Sequence, residues 1–119
     1  MEKIIDKIYQ LIYSPILTPY NLLSNAKLDN YEYVNYYKED NGLIAEMKCK
    51  VEDSFEIFYY YFDENDFLQE IYKLQDGIRK LIYSRKNEIS KYKALYKDNA
   101  KNEMMLYNNT WHKDLEQIV

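Results

Sequence analysis

The 119 residues contain two glycines, two prolines, one cysteine and one histidine. A lone cysteine excludes a disulfide framework. One cysteine and one histidine also exclude the usual Cys/His zinc sites unless carboxylates dominate the ligand set. The two glycines, Gly42 and Gly77, stand far apart, so there is no phosphate-cradling loop, dinucleotide fingerprint or Gly-x-Ser-x-Gly elbow. With so little glycine and proline there is also little material for long irregular loops. No stretch approaches ~20 apolar residues, so no membrane span is expected. The opening MEKIIDKIYQLIYSP mixes Glu2 and Asp6 with its lysines, and Lys7 interrupts the apolar run, unlike a secretory signal. A cytoplasmic location, with Cys49 reduced, is the default expectation.

Against these shortages stands an excess of tyrosine: fifteen, beside four Phe and one Trp. Apolar residues make up 47% and charged residues 30%, which excludes a disordered or collagen-like chain. The length suits one domain, residues 1–119, able to bury about two thirds of its unfolded surface. Abundant Lys, Asn, Ile and Tyr with only two Arg is what an AT-rich coding sequence produces, which points to a low-GC bacterium or its phage.

Ile4, Ile5, Ile8, Leu11 and Ile12 form one apolar stripe at helical spacing, so residues 2–13 are expected as an amphipathic helix. Ser14-Pro15 ends it. Thr18-Pro19 reads as an N-cap with Pro at the first position of a second short helix, to about Ala26. From Tyr31 the period becomes two. YEYVNYYK, the turn EDNG and LIAEMKCKV read as a hairpin signalled by Asn41-Gly42, two residues that accept positive φ. Leu43, Ala45, Met47, Cys49 and Val51 share one face of the second strand. FEIFYYYF is a third strand.

Asp63, Glu64, Asn65 and Asp66 then read as a helix start, with Asp63 or Asn65 as cap. Phe67, Leu68, Ile71, Leu74, Ile78, Leu81, Ile82, Ile89, Tyr92 and Tyr96 mark a helical stripe. An unbroken helix over 64–107 would run ~65 Å, against a radius of gyration of about 13 to 14 Å for a compact domain. The helix must therefore break, at Arg85–Glu88 or Asp98–Asn99 with Gly77 a third candidate, or leave the domain and pair with a partner. A last helix after Thr110 would place Trp111, Leu115 and Ile118 on the body. The expected fold is α+β: helical residues 2–26, a three-stranded antiparallel β-meander over 31–62, then long or broken helices over 64–118 packed on one face of the sheet. Met47 and Cys49 are expected beneath that long helix, against Ile71, Leu74 and Ile78. The apolar row Ile89, Tyr92, Leu95 and Tyr96 outruns the sheet, and so calls for a fold-back helix or a homodimer.

Catalytic candidates are few. His112 reads as a surface residue beside Trp111. Cys49 reads as a small buried hydrophobe rather than a nucleophile. Glu64-Asn65-Asp66 lacks the Gly and the distal Glu of a calcium loop. The chain is accordingly expected not to be an enzyme, with no catalytic residue, metal or cofactor.

Two surface signals remain. Residues 29–70 hold twelve acids and three lysines, a net −9, while residues 71–101 hold nine basic residues and three acids, a net +6. The bland account is attraction between two layers of one fold; the functional one is a surface that meets a charged partner. The third strand is aromatic on both faces whichever turn precedes it. A two- or three-residue turn decides whether Phe58, Tyr60 and Phe62 or Phe55, Ile57, Tyr59 and Tyr61 join Met47 and Cys49. The remaining aromatic face needs cover, either from residues 2–26 or from another molecule.

A helix, a three-stranded meander and further helices in a short acidic chain of AT-rich composition resemble small acidic phage-encoded anti-CRISPR proteins. The resemblance spans the order of elements over most of the chain and rests on no motif. It implies a non-enzymatic, protein-binding inhibitor that presents acidic and aromatic side chains to the basic channel of a nuclease or other defence complex. The partner-binding set is then Tyr59, Tyr60, Tyr61, Phe58, Glu32, Glu39, Asp40, Glu46 and Glu56. The basic segment Arg79–Lys101 departs from that pattern. It supports an alternative, a nucleic-acid-binding module using Arg79, Lys80, Arg85, Lys86, Lys93 and Lys97 with Tyr83 and Tyr92 on a basic helix 79–101. An immunity or antitoxin-type protein is a further alternative.

Overall fold

The computed structural model describes the backbone of residues 3–107 and the side chains of residues 3–100. The expected last helix, with Trp111, His112, Leu115 and Ile118, lies outside the described residues. The described chain runs α1 (Ile4–Tyr13), α2 (Pro19–Asn25), β1 (Tyr31–Glu39), β2 (Gly42–Val51), β3 (Ser54–Asp63), β4 (Leu68–Gln75), β5 (Ile78–Ser84) and α3 (Arg85–Tyr107). It divides into two compact units. One comprises residues 15–85; the other joins Met1–Ser14 with Lys86–Val119.

The larger unit is an antiparallel meander of five strands in sequence order. Two-residue turns hold β1 to β2, with Glu39 opposite Gly42, and β2 to β3, with Val51 opposite Ser54. That second turn settles the register: Met47 faces Phe58, Ala45 faces Tyr60 and Leu43 faces Phe62. Strand alternation then gathers Leu22 of α2 with Ala45, Met47, Phe62 and Leu68 into one buried cluster, with Val34, Tyr36, Phe58, Tyr60, Ile71 and Tyr83 packed around it. α2 is set on this face by its cap. The Thr18 side chain accepts from the Asn21 amide in a capping box, and Pro19 opens the helix. The Tyr36 hydroxyl donates to the Pro19 carbonyl at 2.8 Å.

Residues 68–84, expected as helix, are instead the hairpin β4–β5. Asp76 (φ 53°) and Gly77 (φ 77°) both lie in the left-handed region, so they form the hairpin turn and not a helix break. The expected helix cap is also a turn. Asp63 Oδ1 accepts from the Asn65 and Phe67 backbone amides at 2.9 and 3.0 Å, and Oδ2 accepts from the Gln69 side-chain Nε2 at 3.0 Å. The carboxylate thus captures the amides that reverse the chain between β3 and β4, with Asp66 at φ 64°. Met47 and Cys49 are buried as expected, and Ile71 packs against the Met47 cluster from a strand instead of a helix, but the other two expected partners do not. Leu74 pairs with Ile57 on the opposite face, and Ile78 is 71% exposed. Gly42 opens β2 without a positive φ; Asp40 and Asn41 make the turn.

The smaller unit is a helix pair. Ile8 of α1 is fully buried with Tyr96 and Ala100 of α3, and Ile4, Ile12 and Tyr92 pack against them. Tyr92 and Tyr96 of the apolar row, expected to need a fold-back helix or a second chain, thus pack with α1, while Leu95 stays 43% exposed. Among the described residues no helix is long and apolar enough to cross a membrane.

Candidate functional site

Alternation that sends Tyr36, Met47, Phe58 and Tyr60 into the core sends their neighbours to the other face. There Tyr33 and Tyr37 of β1, Ile44 and Glu46 of β2, Tyr59 and Tyr61 of β3, Tyr72 of β4, and Arg79 and Leu81 of β5 share one surface.

Arg79 organises its centre. Its guanidinium lies 3.8 Å from the Tyr59 ring centroid, and Nη1 donates to the Tyr61 hydroxyl at 2.7 Å. Tyr61 in turn meets the Tyr72 ring edge-on, at 5.2 Å between centroids. Stacking of this kind leaves Tyr59 only 8% exposed. Arg79 makes no ion pair among the described residues, so its remaining N–H donors are free to meet an acceptor.

Nearer β1, the Tyr33 hydroxyl donates to Glu46 Oε2 at 2.8 Å. That hydrogen bond, with some burial and the Glu46 charge, pushes the Tyr33 phenol up to about 12. Lys48 Nζ pairs with Glu32 at 3.3 Å and lies 5.3 Å from the Phe55 ring centroid. Tyr37, Phe55 and Leu81 are exposed on this face at 46%, 55% and 41%.

The structure divides the partner-binding residues expected from sequence. Tyr59, Tyr61 and Glu46 stand together, with Glu32 reaching Lys48 beside them. Glu39 and Asp40 lie at the β1–β2 turn. Phe58 and Tyr60 are corrected to the core face, because neighbours in a strand point to opposite sides. Burial there raises the Tyr60 phenol. Glu56 also leaves the set: it alternates with Phe58 on the core side and pairs with Lys73 at 3.7 Å.

The basic helix 79–101 is likewise corrected. Arg79 and Lys80 belong to β5 on opposite faces. Arg85 is 5% exposed; Nε donates to the Leu68 carbonyl at 2.6 Å and Nη2 to the Pro15 carbonyl at 2.9 Å. Burial lowers its pKa, and it ties the start of β4 to the segment before α2. Tyr83 and Tyr92 pack into the two buried clusters instead of standing free for stacking. Of the cations expected to contact nucleic acid, Lys86, Lys93 and Lys97 are left on α3, on one stripe at i, i+7 and i+11.

Sequence reasoning missed Tyr33 and Tyr72 as members of this surface, and the joining of Arg79 to Tyr59 and Tyr61. The Asp76-Gly77 pair, read as a hairpin turn, would have brought β4 and β5 alongside β3 and exposed the relation. Cys49 is buried, which pushes its thiol up, with Glu56 adding to the effect. Among the described residues no three His, Cys, Asp or Glu side chains gather as a metal site. No family model matches the chain, and no match was found among curated proteins or among solved structures.

Proposed function

We propose that this chain is a non-enzymatic inhibitor that works by binding a protein, and that it docks through the tyrosine-rich face of its sheet. The observation that carries the reading is the Tyr33–Tyr59–Tyr61–Tyr72 surface built around Arg79, opposite the buried face. Tyrosine and arginine dominate interface hot spots, since they offer rigid area with polar tips. Glu39 and Asp40 at the turn, with Glu46 on the face, would speed encounter with a basic partner. The resemblance to small anti-CRISPR proteins makes a nuclease or other defence protein the partner class of first choice.

The test is a Tyr61→Ala, Tyr72→Ala pair of variants, with affinity for a recovered target and thermal stability measured on the same samples. Loss of about 2 kcal/mol of binding per variant with an unchanged melting temperature supports the reading. Binding that falls only as the fold melts overturns it.

A second reading rests on the Lys86–Lys93–Lys97 stripe of α3, which would favour phosphate contact. A gel shift with short DNA and RNA at low salt separates the two. Retardation abolished by Lys93→Glu and Lys97→Glu favours the nucleic-acid module, and no retardation removes it.

A further inference from the structure

Beside α2 a cavity of about 300 Å³ opens between Pro19, Tyr20, Leu23, Tyr36, Leu43 and Asp66. Its walls are hydrocarbon and aromatic ring. The Tyr36 hydroxyl is already committed to the Pro19 carbonyl. Tyr20 and Leu23 form an exposed rim, at 71% and 57%. Asp66 is the one charged lining residue. It is half-buried, and its backbone is held at φ 64° by its amide's hydrogen bond to the Asp63 carbonyl at 3.0 Å. Its carboxylate makes no hydrogen bond or ion pair among the described residues.

The Asp66 carboxylate therefore keeps acceptor capacity for a donor that enters the cavity. The surroundings favour a cationic one. The β1–β2 and β3–β4 turns lie at the same end of the sheet, where Gly42 pairs with Asp63, and they bring Glu39, Asp40 and Glu64 to that end. Asp63 itself is occupied by Asn65, Phe67 and Gln69, and Lys38 stands opposite Leu43 across the β1–β2 ladder. Carboxylates outnumber Lys38 at this end, which favours a cationic ligand over an anionic one. The volume lies at the lower end of the roughly 300–1,000 Å³ range of small-molecule sites, which favours a small ligand over a protein segment.

We propose that this cavity binds a small organic ammonium ion with an apolar body. Its ammonium donates to Asp66, and its hydrocarbon packs against Leu23, Tyr36 and Leu43. A charge-assisted hydrogen bond supplies the selectivity, and the walls supply the affinity common to any apolar ligand. This site lies on the core side of the sheet, so it stands apart from the proposed docking face.

The experiment is an amide NMR titration of the whole chain with 2-phenylethylammonium, beside its neutral isostere 2-phenylethanol and the anion 3-phenylpropanoate. Saturable shifts at Leu23, Leu43 and Asp66, with the ammonium bound about tenfold more tightly than the alcohol, are expected. Asp66→Asn, checked for an unchanged melting temperature, should bring the two affinities together. Leu23→Ser, on the exposed rim, should weaken both alike. Equal affinity for ammonium and alcohol in the native chain overturns the proposal. So does a preference that survives Asp66→Asn, or non-saturating shifts spread over the acidic turns.

Discussion

Met47 keeps 1% of its surface exposed, in one cluster with Leu22 of α2, Phe62 of β3 and Leu68 of β4. A carboxylate there has no partner within the cluster. Met47→Asp should therefore lower unfolding stability by about 3 kcal/mol or more, read by urea denaturation. On the other face, the Tyr33–Glu46 hydrogen bond links stability to alkaline pH. The folded phenol titrates near 12, above its ordinary value of 10.0. The contribution of this bond is thus complete below pH ~10 and fades as pH rises toward the folded value. Carbon NMR of the Tyr33 ring should show that titration moving down toward the ordinary range in Glu46→Gln. Single residues were only partly legible. Tyr59 and Tyr61 stand out as a row in FEIFYYYF, but the guanidinium that seats on them comes from a strand the periodicity hides.

Gly42 needs its lack of a side chain for space and not for torsion. A Cβ built there would collide with the Phe62 carbonyl oxygen across the β2–β3 ladder. Gly42→Ala should cost on the order of 1–3 kcal/mol by forcing those strands apart, seen as a lower melting temperature and lost amide protection at Phe62 and Asp63. The first three strands were readable because one face of β2 alternates without interruption and both turns are tight. β4 and β5 were not. Ile71 lies on the core face and Leu74 on the other, so apolar residues recur at three and four positions as on a helix. A register shift between Ile71 and Tyr72 leaves Ile82 out of the ladder beside Leu81, and the adjacent pair imitates a helical doublet. Asp63 misled for a related reason, because a carboxylate that captures amides downstream caps a helix and closes a turn by the same chemistry.

At the scale of the molecule, the two units rest on separate buried clusters, one around Met47 and one around Ile8, Tyr96 and Ala100. Ile8→Asp should accordingly strip hydrogen-exchange protection from α3 while the amides of β2 and β3 keep theirs. Loss of protection throughout would show that the units melt as one. The pairing of α1 with α3 has a consequence for how the chain is made. Each strand of the meander finds its partner in the segment synthesised just before it, so the sheet can assemble as it leaves the ribosome. Ile8 meets Tyr96 only after roughly 90 further residues, which at about 5–20 residues per second is a wait of some 4 to 18 s. Through that interval α1 carries a bare apolar stripe, and whatever shields nascent chains in the cell must cover it until α3 arrives.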